Sequence, residues 1–199
     1  KEELTPTFRG YDESLMYYEA ALADVWTHAA PGTVRCRVDG KPATWPHGLP
    51  VDLANATAAG GIRAADPSLN GTYDSEVFTN AAVSVVERHA ASNPTQPLFL
   101  YIAYRDVHAA APQNQSVGPI QAPCPAVNKF STTVNDTYKA QAGMLYEMDR
   151  GVGDVVRALK ATGLYDDTLI AFVSDNGGPL PHSTNAPRRG GKHTFWDGG

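Results

Sequence analysis

Residues 168–199 read TLIAFVSDNGGPLPHSTNAPRRGGKHTFWDGG, and the reading of their opening decides the fold. Leu169-Ile170-Ala171-Phe172-Val173 is too short for an independent helix and rich in branched and aromatic side chains. It therefore predicts a strand buried on both faces. The run stops at Ser174-Asp175-Asn176-Gly177-Gly178, and the carboxyl end of a buried strand is where open α/β sheets hold their ligands. Asp175 and Asn176 offer hard oxygen donors suited to Ca²⁺ or Mg²⁺, and the glycines let the backbone turn beside an ion. The cationic cluster Arg188-Arg189-Gly190-Gly191-Lys192-His193 follows, and an oxygen-ligated metal beside Arg and Lys suits an anionic ester. Local pattern leaves two plainer alternatives open. Asp-Asn-Gly-Gly also makes an Asx-turn, and basic residues among glycines also make solvated surface.

Working outward, helix and apolar run alternate upstream as well. Asp74 can cap a helix reaching about residue 91, with Val77, Phe78, Ala81, Ala82, Val85 and Val86 on one face and Asn93-Pro94 ending it. Pro97 to Tyr104, PLFLYIAY, is a second apolar run of strand length. Arg105-Asp106-Val107-His108 follows it. A histidine there is well placed for a site, although an imidazole hydrogen-bonded in a loop fits the position equally. A long helix starts at Asn135 or Asp136 and runs to about residue 162, where Gly163 closes it. Its expected buried face carries Tyr138, Ala142, Leu145, Met148, Val152, Val155, Val156 and Leu159, with Glu147, Asp149, Arg150 and Asp154 on the wet side. Gly151 and Gly153 each weaken it by about 1 kcal/mol relative to Ala, which close packing against a sheet would explain. Helix then strand, twice over, predicts an α/β fold with a mostly parallel buried sheet flanked by helices.

The connections are less regular. Residues 29–72 are rich in Gly, Ala, Pro and Asn, with one small hairpin: Thr33 to Val38 alternates, Asp39-Gly40 signals a type I′ turn, and Pro42 confines the return strand to an edge. Residues 113–134 read as surface loop. Cys36 and Cys124 are too few for a disulfide framework or a zinc site, and can form one bridge. Four Asn-x-Ser/Thr sequons, at Asn55, Asn70, Asn114 and Asn135, exceed the roughly one expected by chance and favour a secreted or lumenal/lysosomal protein. The 199 residues, 42% hydrophobic and 19% charged, are enough for one ordinary globular domain with a real core. A net charge of −5 argues against general nucleic-acid binding, and no apolar run reaches membrane-spanning length.

Several elements in order carry a family likeness. SDNGG, then an Asn and a Pro, RGGK, an aromatic and WDGG resemble the metal-and-lysine segment of sulfatases of the arylsulfatase B type, in the alkaline-phosphatase-like superfamily. The likeness is collinear through KEELTPTFRGYD, YDSEVFT, PLFLYIAYRDVH and YEMDRGVGDVVRALKATGLYDDTLIAFVSDNGG. It implies a partial alkaline-phosphatase-like/sulfatase fold, with residues 1–199 a single partial domain from the middle of a sulfatase catalytic domain. It further implies that Asp175 and Asn176 ligate Ca²⁺ (Mg²⁺ as the substitute), that Lys192 contacts the sulfate oxygens, and that His108 assists the leaving group. Arg189 and His193 would line or brace the site. The implied partner is a small sulfated substrate, an aryl sulfate or a sulfated sugar, with no nucleic acid and no membrane.

Two departures accompany the likeness. The family continues His-x-Pro, whereas here the run is His108-Ala109-Ala110-Ala111-Pro112. Sulfatases use a formylglycine made from Cys or Ser in Cys-x-Pro-x-Arg, and neither Cys36-Arg37-Val38 nor Cys124-Pro125-Ala126 fits. The formylglycine and the family's paired aspartates are thus expected in an N-terminal part before Lys1, and the chain is expected to be inactive alone. Two alternatives remain: a phosphodiesterase or phosphonate hydrolase of the same superfamily, and a non-catalytic secreted anion-binding glycoprotein.

Overall fold

The structure, a computed structural model, describes residues 2–17, 34–36, 42–44, 53–69, 71–108, 122–130, 136–180 and 183–199. It divides into two compact units, Lys1–Tyr165 and Asp166–Gly199.

The first unit contains strands β1 (Glu13–Tyr17), β2 (Val34–Cys36), β3 (Pro42–Thr44), β4 (Leu53–Thr57) and β5 (Gly61–Ala64), all paired antiparallel. β2 and β3 form the expected hairpin; its Asp39-Gly40 turn lies outside the described residues. β4 sits between β1 and β5, with Leu15 opposite Asn55 and Ala56 opposite Ile62. The composition of 53–64 predicts connection, because an alanine-rich strand carries little of the branched and aromatic signal by which strands are recognised. Its turn is nonetheless built for a hairpin: Gly61 adopts φ 66°, and the Gly60 N–H donates to Thr57 Oγ1 at 2.9 Å. Leu53 anchors the sheet to the helices by packing with Ala65 and Val77, flanked by Leu15, Tyr17, Leu69 and Phe78.

Three helices follow: α1 (Asp74–Ser92), α2 (Cys124–Asn128) and α3 (Asp136–Ala161). Asp74 is the first helical residue of α1 rather than its cap, and its Oδ1 accepts the Ser75 N–H at 2.9 Å. α1 packs along α3, and α2 packs on α3 as well. Gly151 marks the first contact, since a Cβ there would fall 2.4 Å from Thr79 Oγ1 and 3.0 Å from Tyr104 Oη. Gly143 marks the second, where a Cβ would lie 3.0 Å from the Val127 backbone nitrogen. The close packing that explains Gly151 is therefore against α1 and the extended run 97–104. α3 buries Ala140, Met144, Ala158 and Leu159, while Tyr138 and Leu145 of the expected face are exposed. Glycine gives no hydrophobic signal, so a face defined by glycine contacts is read rotated from the apolar residues alone. Gly163 at φ 77° ends α3, with the Leu164 N–H donating to Leu159 O at 3.0 Å.

The two apolar runs that predicted a buried parallel sheet are extended but have no ladder partner among the described residues. In 97–104 one face lies on the helices: Leu100 packs with Val86, Ala158 and Leu159, and the Tyr104 hydroxyl meets Thr79 Oγ1 at 2.8 Å. On the other face Phe99 and Tyr101 are 75% and 69% exposed. In the second unit, Leu169 and Val173 are 95% and 86% exposed. The expected burial of 169–173 on both faces is thus not formed among the described residues, and the sheets present are antiparallel. Local apolarity marks a segment as a strand; it does not supply the flanking strands that bury a parallel one.

Candidate functional site

The second unit holds three of the four expected site residues, and its local chemistry is a knot of backbone contacts. After the extended run, Ser174 Oγ donates to Asn176 O at 2.7 Å, tightening the turn. Asn176 Nδ2 donates to Gly177 O at 3.0 Å, which commits the amide nitrogen and leaves Oδ1 as the acceptor of that side chain. Asp175 is exposed and Asn176 half-buried. Asn185 then ties the turn to the basic segment. Its Oδ1 accepts the Gly178 N–H at 2.8 Å, and its Nδ2 donates to Gly178 O at 2.9 Å and to Gly190 O at 3.0 Å. The Lys192 N–H donates to the same Gly178 carbonyl at 3.3 Å.

Glycine makes this approach possible. A Cβ at Gly177 would fall 1.7 Å from Gly198 O, and one at Gly191 would fall 2.4 Å from Gly178 O. Asp175-Asn176 and Lys192 are thereby held on two segments in direct backbone contact. Arg189 does not share their position: its guanidinium stacks on the Trp196 ring at 3.3 Å, and its N–H donates to Asp197 Oδ1 at 3.1 Å. His193 sits at φ 73° and is exposed.

His108 lies in the first unit, exposed, at the end of a turn in which its N–H donates to Arg105 O at 2.7 Å. The residues just before it are anchored in the interior. Asp106 accepts hydrogen bonds from the Tyr73 hydroxyl and from Ser75 Oγ at the start of α1. Arg105 Nε stands 3.8 Å from the buried Asp74 Oδ2, and the Arg105 guanidinium lies 4.6 Å from the centre of the Tyr17 ring. Burial, reinforced by the Asp106 carboxylate, pushes Asp74 up to about 8 against the pull of Arg105. Burial likewise pushes Asp106 up to about 6, opposed by its hydrogen bonds from Ser75 and Tyr73. Sequence reading places Asn185 in the motif without a role, because its contacts are to the backbone of its own loop, and it misses the carboxylate pair, because Asp106 finds its partners 33 and 31 residues away.

The donors at 175 and 176 fit a hard cation in kind: one carboxylate and one amide oxygen, with the amide nitrogen turned away. Among the described residues no three His, Cys, Asp or Glu side chains converge, and two oxygens are fewer than the roughly six to eight that a Ca²⁺ takes. A cleft of about 50 Å³ between α1 and α3 is no competitor for an anionic ester. Its lining includes Glu76, Glu147 and Asp154, and its one cation, Arg150, is already paired with Glu147 at 2.7 Å.

Residues 7–199 match the family model described as Sulfatase. The chain belongs to the sulfatase family. This sulfatase chain is 36% identical over 131 residues to arylsulfatase J of Mus musculus, a match that covers 65% of the chain and 20% of the relative. It is also 36% identical over 131 residues to the uncharacterized sulfatase YdeN of Escherichia coli (strain K12), covering 64% of the chain and 21% of the relative. The crystal structure of Ps i-CgsB in complex with k-i-k-neocarrahexaose superposes with a TM-score of 0.68 at 28% identity, covering all of this sulfatase chain and 40% of the other. The sulfatase chain thus spans about a fifth of the length of the curated relatives it matches. Among its described residues, no helix is long and apolar enough to cross a membrane.

Proposed function

We propose that this chain belongs to a metal-dependent sulfuric ester hydrolase, with the second unit providing cation and sulfate contacts. The observation that best supports this is the Gly178 carbonyl, which accepts from both Asn185 and Lys192 and so joins the Asp175-Asn176 turn to the basic segment. Asp175 and Asn176 hold Ca²⁺, with Mg²⁺ compatible with the same oxygen donors. When bound, the ion stabilises negative charge on the ester oxygens electrostatically. Lys192 binds the sulfate oxygens with a mobile ammonium carrying three donors. His108 delivers a proton to the departing alkoxide. Arg189, stacked on Trp196, braces the loop.

The extended runs 97–104 and 169–173 are strands of the mostly parallel buried sheet of an alkaline-phosphatase-like fold. The nucleophile is a formylglycine outside residues 1–199, since no Cys-x-Pro-x-Arg occurs within them. The substrate is a small sulfated compound, an aryl sulfate or a sulfated sugar. The hexaose bound in the related crystal structure supports the sugar. Cys124 is disulfide-bonded and Cys36 is the only other cysteine, while Asn55 of the first sequon is exposed on β4. Both support a secreted or lumenal protein.

The test is made on the full-length protein. Ca²⁺ titration by calorimetry should show binding that Asp175→Ala weakens by at least tenfold, a typical outcome for loss of a charged ligand. A chromogenic aryl sulfate should be turned over by the full-length protein. Equal Ca²⁺ affinity in the variant, or turnover of phosphate diesters with none of sulfate esters, would refute the proposal.

A further inference from the structure

We propose that Asn185 is a positioning residue for this site: its side-chain amide fixes the spacing between the cation ligands Asp175-Asn176 and the sulfate-binding Lys192. The inference rests on the roles assigned above to those three residues. Asn185 uses both ends of its amide, accepting from the Gly178 N–H and donating to the carbonyls of Gly178 and Gly190. Gly178 therefore has its N–H and its C=O held by one side chain. That immobilises the backbone two residues beyond Asn176, while Gly190 is fixed two residues before Lys192.

The Lys192 N–H closes the arrangement on the same Gly178 carbonyl. The fit around the amide is tight, because a Cβ at Gly191 would lie 2.8 Å from Asn185 Nδ2. No other side chain of this size offers one acceptor and two donors in a plane. Aspartate keeps the acceptor but turns an oxygen toward two carbonyls, and leucine keeps only the shape. The loop is otherwise poor in side-chain packing, and Phe195, Trp196 and Leu180 stand exposed. Its geometry therefore depends on these hydrogen bonds and not on a hydrophobic core. A cation and a bound sulfate must meet their donors within a few tenths of an ångström, so a residue setting the separation of two ligand-bearing segments controls affinity at both.

The test uses the full-length protein carrying Asn185→Ala or Asn185→Asp, with calcium chloride and inorganic sulfate as probes in separate calorimetric titrations. Each variant is expected to bind both probes about tenfold or more weakly. Asn185→Asp should be no better than Asn185→Ala, despite its near-identical shape. A purely structural role would lower the melting temperature yet leave the folded protein's two affinities unchanged. Wild-type affinity for both probes in Asn185→Asp overturns the proposal, and this isosteric variant is the one read if Asn185→Ala does not fold. Asp175→Ala and Lys192→Ala serve as controls. If they leave Ca²⁺ and sulfate binding intact, the site assignment itself is wrong. If they abolish it while the Asn185 variants bind normally, only the role of Asn185 is withdrawn.

Discussion

Glycine at 177 and glycine at 153 look alike in sequence and answer to opposite physics. A Cβ at Gly177 would meet the Gly198 carbonyl at 1.7 Å, which only a backbone shift can relieve. Gly177→Ala is therefore expected to destabilise the protein by about 1–3 kcal/mol, the usual cost of overpacking, read as a lowered urea midpoint. Gly153 in α3 meets only the end of the Arg157 side chain at 3.4 Å. Gly153→Ala should stabilise the protein by up to about 1 kcal/mol through helix propensity, read as a raised urea midpoint. The carboxylates before His108 give a second prediction at this scale. The folded-state values of Asp106 and Asp74, raised to about 6 and about 8, exceed the ordinary 3.8 of an unfolded Asp. The folded state thus binds more protons than the unfolded state across that interval. The stability these groups contribute is full below about pH 4 and is lost as pH rises through about 6 and then about 8. Thermal unfolding should show a higher melting temperature at pH 5 than at pH 8. Asp106→Asn, which mimics the protonated acid, should flatten the lower step; an unchanged profile would show that Asp106 is not the group responsible.

Among the elements, the helices were the most legible, because α1 and α3 carry long apolar periodicity and end at Asn93-Pro94 and Gly163. What escaped was set by contacts between segments. The buried face of α3 is defined by Gly143 and Gly151 against α2 and α1, and the alanine-rich β4 owes its place to Leu53 beneath α1. The candidate site divides the same way. Asp175, Asn176 and His108 stand out by residue type just beyond apolar runs and Lys192 by its place among glycines, whereas Asn185 acts on the backbone of its own loop and Asp106 through partners 33 and 31 residues away. α2 offers a test of such a distant tie. Cys124 at its first position is disulfide-bonded, and α2 carries Ala126 and Val127 into the interior beside Met144. Cys124→Ser should lower stability by about 2–4 kcal/mol, measured by urea unfolding under non-reducing conditions. Addition of reductant should then have no further effect on the variant. A wild-type midpoint for Cys124→Ser would mean that the bridge holds nothing that α2 packing does not already hold.

At the scale of the molecule, the exposed apolar runs and the family membership bear on one question. Leu169, Phe172 and Val173 are side chains that water disfavours, yet they stand in solvent on an extended backbone without a ladder partner among the described residues. An unpaired apolar strand of this kind is a template for association. The chain spans about a fifth of the curated relatives' length, and the proposed buried sheet places this run in a protein interior within the full-length protein. A single substitution, Val173→Lys, therefore has opposite expected effects in two settings. In residues 1–199 alone it should raise the monomer fraction seen by light scattering, because a charge on an exposed edge suppresses strand pairing. In the full-length protein it should destabilise by several kcal/mol, because the ammonium would be buried between sheet and helices without a partner. Residues 1–199 alone should in addition release no product from an aryl sulfate, because the proposed formylglycine lies outside them, whatever stands at 173. If Val173→Lys is neutral in the full-length protein, the run stays in solvent there as well. The final strand is then not part of a buried sheet, and the position of Asp175-Asn176 at its end loses its structural basis.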